Sequence, residues 1–507
     1  MSAQNLTLLT DLYELTMMQG YFETQENQTV VFDVFFRDNP NKGGYSIMAG
    51  LDQVIDYIKN LNFSYEDVDY LRGLGLFSED FLHYLSGFHF SGDIYAIPEG
   101  SVIFPREPLL KVVAPIMEAQ LVETAILTIL NHQCLIATKA SRVVYAAQGD
   151  GIMEFGLRRA QGPDAGLYGA RAAVIGGCVG TSNVLAGEMF DVPVMGTHAH
   201  SWIMTFKDEY TAFKEYARLY PDACTLLVDT YDTLKSGVPN AIRVFTEMRE
   251  AGIKPKSYGI RLDSGDLAYL SKKARKMLDD AGFQDAVIAA SNDLDEFLIH
   301  DLKMQGAAIS SWGVGTNLIT SKDCPSFGGV YKLAAIQNAE GEFQPKIKIS
   351  ENIEKITNPG NKTIYRMWLN DITVDGTKYY ISKSETTSIG ESADKIEITP
   401  ILMNYTKEDP YISYYLKGFE HKKNIVRQSE LGTIVYTNLP SGTYTFVISI
   451  LDYTGTKEIE SSSYSIEKPE RFWETWWFKA YYIIIAVMII MYLTWLITRL
   501  QSNRVIE

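Results

Sequence analysis

Hydrophobic and polar positions change their rhythm twice along this chain. Up to about residue 366, short apolar runs alternate with amphipathic stretches. GIMEFG (151–156), VPVMGT (192–197), TLLVDT (225–230), SYGIRL (257–262), AVIAAS (286–291) and ISSWGVG (309–315) have the length of strands. Between several of them lie helical patterns such as KDEYTAFKEYARLY (207–220) and SKKARKMLDDAG (271–282). This alternation predicts βαβ units and an α/β fold with a parallel sheet or barrel. From about 367 to 470 the helical period fades. Runs such as KIEITPIL, YISYYLKG and GTYTFVISILD, separated by turn residues, predict an all-β sandwich. LPSGTY (439–444) predicts a tyrosine corner, with Tyr444 tied back to the chain. Residues 480–498, AYYIIIAVMIIMYLTWLIT, then carry no charge between Lys479 and Arg499 and follow FWETWWF. A bilayer takes roughly 20 such residues, with aromatics at its interfaces, so a membrane span is expected here; a buried core helix is the alternative.

Within the α/β part the polar residues fall at or just after the C-terminal ends of the apolar runs. They are Glu154, Thr197 with His200, Asp229, Asp263 with Asp266, Asn292 with Asp293, and Gly313 with Gly315. Parallel barrels gather their chemistry on that face. GTHAHSW (196–202) holds two of the seven histidines, His198 and His200. On a strand they would share a face and fit one metal, but a third ligand is needed. Packing and a reactive histidine are the other readings; a nucleophilic imidazole needs one nitrogen free and the other held by an acceptor. SSWGVGTNL (310–318) offers backbone N–H groups and a hydroxyl of the kind that hold phosphate, or forms a simple turn. Arg158 and Arg159 follow one run, and Arg261 stands near Asp263 and Asp266. They supply cations for an anionic substrate and carboxylates for Mg²⁺ or a developing cation, or else exposed ion pairs.

Composition narrows the partners. The chain has 507 residues, 46% hydrophobic and 21% charged, enough for two to four domains with large cores. A net charge of −16 argues against nucleic acid as a partner, since phosphate-backbone binding needs a basic face. Four widely spaced cysteines, Cys134, Cys178, Cys224 and Cys324, fit a reducing compartment without a disulfide framework or structural zinc. The N-terminal MSAQNLTLLTDLYELT lacks signal-peptide character, so a cytoplasmic catalytic part is expected.

TDLYELTM (10–17), FFR (35–37), EFGLRRAQG (154–162), GTSN (180–183), GTHAHSW, VDTYD (228–232), RLDSGDL (261–267), GVGTNL and PKIKISENIEKITNPG (345–360) occur in the order found in the nicotinate phosphoribosyltransferases, which residues 1 to about 366 resemble. The resemblance implies a type II phosphoribosyltransferase: an irregular α/β barrel (126–366) with an N-terminal α+β domain (1–125). It implies that nicotinate and phosphoribosyl pyrophosphate are joined to nicotinate mononucleotide, with ATP as co-substrate, Mg²⁺ and a phosphohistidine. By the same resemblance His200 is the phosphorylated residue and His198 its neighbour. Tyr13, Thr197 and Arg261 would contact nicotinate, with Arg261 facing its carboxylate. Thr316 would hold the 5-phosphate, with Gly313 and Gly315 supplying backbone donors. Arg158 is a further binding candidate, Asp263 and Asp266 are further catalytic candidates, and a homodimer is expected.

From about Met367 the family pattern gives way. Residues 367–470 resemble the Ig-like (Y_Y_Y) domain of two-component sensors, with 471–507 as membrane span and tail. ISYYLKGFE, VYTNLPSGTYTF and FWETWWF carry that resemblance. Family members continue instead in a further domain of their own, so the catalytic domain is expected to be truncated. Three readings compete: an ATP-coupled nicotinate phosphoribosyltransferase, an enzyme of the same chemistry that uses nicotinamide, and a non-catalytic membrane-anchored sensor fragment or spurious join of two genes.

Overall fold

Strand β1 (Thr29–Phe36) has the sequence TVVFDVFF, apolar at six of its eight positions and buried at all but the first. Such a run belongs in the middle of a sheet, covered on both faces. On one side it pairs with β3 (Leu110–Pro115), which pairs in turn with β2 (Asp93–Ala96), and the chain then enters the long helix α1 (Glu123–Ala146). The structure, a computed structural model, describes residues 5–349, 357–369, 371–404, 409–452 and 454–506. It comprises two compact units, Met1–Lys362 and Thr363–Glu507. The middle of the motif at 345–360 lies outside the described residues.

After α1 come six short strands: β4 (Gly151–Glu154), β5 (Gly180–Thr181), β6 (Ala223–Leu227), β7 (Ser257–Leu262), β8 (Val287–Ala290) and β9 (Ser311–Val314). They form one sheet in the order β5-β4-β9-β8-β7-β6, parallel at every pairing. Helices such as α2 (Val238–Glu250), α3 (Leu267–Asp280) and α4 (Glu296–Met304) carry the crossovers. Their buried faces are Ala241, Val244 and Phe245 in α2, and Ala268, Ala274 and Leu278 in α3.

The expected barrel is a half-barrel. VPVMGT makes one parallel bridge, Val194 to Thr181, at the β5 edge. Between that bridge and β6 the chain runs as two helices, His200–Thr205 and Glu209–Leu219, and no ladder joins the two edges among the described residues. After β9 the chain returns to the first sheet. β10 (Gly329–Gln337) pairs antiparallel with β1, β11 (Phe343–Pro345) pairs with β10, and the full order is β11-β10-β1-β3-β2. Residues 329–345 therefore belong with the N-terminal sheet. Lys362 Nζ reaches the buried Asp33 of β1 at 2.5 Å and anchors the end of this unit.

The described part of the second unit is β-structure with two 3₁₀ turns, Gln428–Glu430 and Phe472–Glu474, and a last helix. A four-stranded and a five-stranded sheet share one apolar core that includes Ile372, Ile398, Ile412, Phe446, Ile448 and Tyr464. The Tyr444 hydroxyl donates to the Pro440 carbonyl at 2.7 Å, the tie-back expected from LPSGTY. The helix Trp476–Ile506 follows, and its segment Trp476–Arg499 is long and apolar enough to cross a membrane and is wholly unburied.

Two buried charge sites hold α1 in place. Lys139, 3% exposed, lies 2.7 Å from Glu296 Oε2 and 2.7 Å from Asp323 Oδ1. Removing one partner of a buried pair strands the others, so Lys139→Met should destabilise the fold by about 3–5 kcal/mol, read from the urea midpoint. Glu14 is fully buried and accepts from the Thr124 backbone N–H at 3.1 Å and from the Thr124 hydroxyl at 2.7 Å. Burial raises its pKa from the ordinary 4.5 to about 7. The folded state thus holds a proton that the unfolded chain releases, so stability falls as pH rises from about 4.5 through 7. Glu14→Gln should flatten that slope, measured as denaturation midpoints at about pH 5 and about pH 8.

Candidate active site

Parallel strands end on one face, and here that face is polar. β7 delivers Arg261 and, just past its end, Asp263; the segment after β6 delivers Asp229 and Thr230; the segment after β8 begins with Ser291. An Arg261 Nη1 N–H donates to the Thr197 hydroxyl across the gap in the half-barrel. The Asp263 backbone N–H donates to Asp229 Oδ2 at 2.8 Å, and the Ser264 hydroxyl donates to the same oxygen at 2.6 Å. The Ser291 hydroxyl donates to Asp263 Oδ1. Three adjacent strand ends are thereby locked together.

His200 stands at the start of its short helix with its side chain 39% exposed. Nδ1 lies 3.1 Å from the Thr230 hydroxyl, and Nε2 lies 3.8 Å from Asp263 Oδ2. One ring nitrogen therefore faces a hydroxyl and the other a carboxylate, on a histidine open to solvent. His198 is its opposite: 8% exposed, with its pKa depressed to about 4 by burial. The face-sharing pair that a strand would give, one of the alternatives open from the sequence, does not form, because the helix begins between the two residues. Among the described residues no cluster of three or more His, Cys, Asp or Glu could hold a metal ion.

Arg261 carries the main electrostatic tension. Burial lowers its pKa; Asp263 and Asp229 oppose that shift, while the positive Arg158 adds to it. Its Nε–H is buried with no partner, and so is Asp229 Oδ1. Unpaired polar atoms of this kind call for a ligand or water. Arg158 lies on an exposed 3₁₀ turn, Leu157–Arg159, close enough for its charge to be felt at Arg261.

Other sequence candidates fall elsewhere. Asp266 caps α3, accepting the Tyr269 N–H at 2.9 Å. Gly313 lies within β9, where a Cβ would come 2.6 Å from the Phe155 ring, so its first service is to make room for that ring. Gly315 (φ −108°, ψ −106°) precedes the short turn Thr316–Ile319. Asn317 pins that turn by donating to the Asp293 and Leu294 carbonyls at 2.9 and 3.1 Å. Tyr13 lies on the helix Leu12–Glu23, 45% exposed, its phenol pKa raised by burial and by Glu123 and Glu14. No described contact joins it to the His200 cluster.

Phe155, Thr230, Ser264 and Ser291 are site residues that the strand-end pattern did not single out. Phe155 is half-buried, and its ring lies over Gly313 next to Ser291. Glu154, fully buried, is a cross-tie: it accepts from the Thr181 hydroxyl at 2.6 Å and from the Gly156 N–H, fixing the turn that carries Phe155 and Arg158.

Known proteins resemble this chain in sequence and in fold. Residues 8–131 match the nicotinate phosphoribosyltransferase (NAPRTase) N-terminal domain, and residues 151–380 match the nicotinate phosphoribosyltransferase (NAPRTase) family. The nicotinate phosphoribosyltransferase of Bacillus subtilis (strain 168) is 52% identical over 364 residues, 72% of this chain and 73% of the relative. The Homo sapiens nicotinate phosphoribosyltransferase is 33% identical over 418 residues, covering 71% of this chain and 76% of its own. The crystal structure of human nicotinic acid phosphoribosyltransferase superposes with a TM-score of 0.62 at 27% identity, over 85% of this chain and 89% of that one. A nicotinate-nucleotide pyrophosphorylase from Pyrococcus furiosus, 22% identical, shares the fold with a TM-score of 0.56, over 80% of this chain and 92% of its own. From its matched domains and its identity to these enzymes, the chain belongs to the nicotinate phosphoribosyltransferase family.

Proposed function

We propose that the strand-end cluster around Arg261 and His200 is where this enzyme of NAD biosynthesis joins nicotinate to phosphoribosyl pyrophosphate. The observation that carries the reading is the meeting, at adjacent strand ends, of an anion site (Arg261, Thr197, Arg158) and an exposed histidine between a carboxylate and a hydroxyl. Nicotinate is a flat ring bearing one carboxylate. Arg261, with a buried unpartnered Nε–H, is the donor for that carboxylate, and Phe155 offers the ring a face. A carboxylate substrate rather than nicotinamide fits the unpartnered N–H of Arg261 with a second guanidinium, Arg158, nearby.

In the reaction the nicotinate ring nitrogen forms a bond to C1 of ribose as the bond from C1 to pyrophosphate breaks. Positive charge builds on the sugar, and Asp229 and Asp263 are the carboxylates to stabilise it. Gly315 and Thr316 are assigned to the 5-phosphate. Asp229, with its unpartnered Oδ1, and Asp263 would hold Mg²⁺, which when bound offsets charge on the pyrophosphate leaving group. Asp266 is assigned to capping, and Tyr13 to the nicotinate side of a site whose remaining contacts form outside the His200 cluster.

ATP enters through His200. With the Asp263 carboxylate facing the Nε2 proton, the Nδ1 lone pair attacks the γ-phosphorus of ATP as its bond to the ADP oxygen breaks and ADP leaves; the Thr230 hydroxyl orients the ring in the resting state. Phosphorylation places negative charge beside Arg261 and Asp263 and links ATP hydrolysis to substrate affinity.

The unburied apolar helix Trp476–Arg499, with tryptophans near both ends, supports a second reading of the C-terminal part as a membrane anchor for a cytoplasmic enzyme. Recovery of the chain in the soluble fraction without detergent would rule the anchor out.

With nicotinate, phosphoribosyl pyrophosphate and Mg²⁺, the chain should form mononucleotide faster with ATP than without. His200→Ala should lose the ATP stimulation and the phosphohistidine; stimulation that survives would refute the role of His200. Arg261→Met removes a charge-assisted hydrogen bond and should raise the nicotinate KM roughly 10–100-fold, an unchanged KM refuting the carboxylate contact.

A further inference from the structure

We propose that His198 is a positioning residue: its neutral ring takes the place of a strand pairing that the half-barrel lacks, and so holds Thr197 and His200 at the mouth of the sheet. The inference rests on the roles given above to those two residues.

The argument begins at the open edge of β6. In a strand, successive N–H groups point to opposite sides. The Val228 N–H donates to the Arg261 carbonyl on β7 at 3.2 Å, so the N–H of Leu227 points away from β7, toward the gap. Leu227 is fully buried. A buried backbone donor at a sheet edge has neither a neighbouring strand nor water to satisfy it. Here His198 Nε2 accepts it at 3.4 Å. The other nitrogen, Nδ1, lies 3.5 Å from the Ala199 carbonyl, which assigns the proton to Nδ1 and leaves Nε2 as acceptor.

Packing holds the ring in that pose. Tyr216 meets it edge-on at 4.6 Å and Phe213 is tilted against it at 6.3 Å, both from the helix Glu209–Leu219 that fills the gap. Burial keeps the imidazole uncharged, aided by the positive charge of Arg261 and by His200, and a protonated ring would have no lone pair to offer Leu227.

The consequence falls on the residues either side. Thr197 meets Arg261, and His200 meets Thr230 and Asp263. Among the described residues, their segment pairs with the β5 edge at one bridge, Val194, three residues upstream of Thr197. His198 ties it to the backbone of the other edge, beside the contact of His200 with the Thr230 hydroxyl. It touches neither substrate nor phosphate; it sets the separation between the two sides of the site.

The test compares His198→Gln, whose amide oxygen can still accept from Leu227, with His198→Leu, which keeps bulk without an acceptor, and His198→Asn, which is too short to reach. The leucine and asparagine variants should lose roughly 10–100-fold in kcat, the scale of a misplaced reacting group, with a raised nicotinate KM and less phosphohistidine at His200. The glutamine variant should recover most of both. Equal kinetics across glutamine, asparagine and leucine would overturn the proposal; if leucine fails to fold, the glutamine–asparagine pair decides it. His200→Ala, run alongside, separates the two ideas. ATP coupling that survives in it refutes the role of His200, and the nicotinate KM of the His198 variants still decides the Thr197 arm. ATP coupling lost in it, with His198 variants that match the parent, overturns this inference alone.

Discussion

The charge of Arg261 governs the organisation of this site. A guanidinium at the end of a buried strand is costly unless its donors are met. Two nearby carboxylates, Asp229 and Asp263, offset it, yet Arg158 adds a second positive charge and one N–H is left without a partner. The charges balance, but the donor does not, and under the proposed function the carboxylate of an aromatic acid would meet it. Because Arg261 also donates to Thr197, the same side chain ties β7 to the segment that carries His200. Arg261 and the segment of His200 therefore share one support, which under the proposed function is a physical basis for phosphorylation at one to alter affinity at the other.

Much of this was legible in the alternation of apolar runs and polar ends. Glu154, Asp229, Asp263 and Arg261 could be read because a parallel sheet exposes its strand ends on a single face. The finer roles depend on neighbours that lie far apart in sequence. Glu154 reads as a site carboxylate until the Thr181 hydroxyl and the Gly156 N–H are seen to occupy it. Phe155 reads as one more apolar residue until Gly313 is found beneath its ring. Asp266 carried its own signal, an Asp directly before the amphipathic LAYLSKKARKML, which marks a helix N-cap as readily as an active-site acid.

The same locality explains the difference in architecture. Six strands in a row suggest a barrel, but closure depends on whether the first and last edges meet. VPVM is apolar enough for a strand, yet only Val194 pairs, because the chain turns into helix at His200. The return of residues 329–345 to β1 was equally hidden, since an antiparallel partner some 300 residues away in sequence leaves no periodic mark on either strand. The tyrosine corner was readable for the converse reason: Tyr444 and Pro440 are four residues apart, and the whole interaction lies within one turn.

An unclosed sheet has a functional logic of its own. A closed barrel would spend the free donors of β6 on a neighbouring strand and fix the spacing of the two edges by backbone geometry. In this half-barrel the spacing is set by side chains, Arg261 to Thr197 above and His198 to Leu227 below. Side-chain ties can lengthen or reorient by fractions of an ångström where ladder pairing cannot. On the proposed function, a cycle that also takes a phosphoryl group onto His200 would draw on that adjustability. The segment 196–200 is held by side chains at three points, Thr197, His198 and His200, between the sheet and the helix that fills the gap.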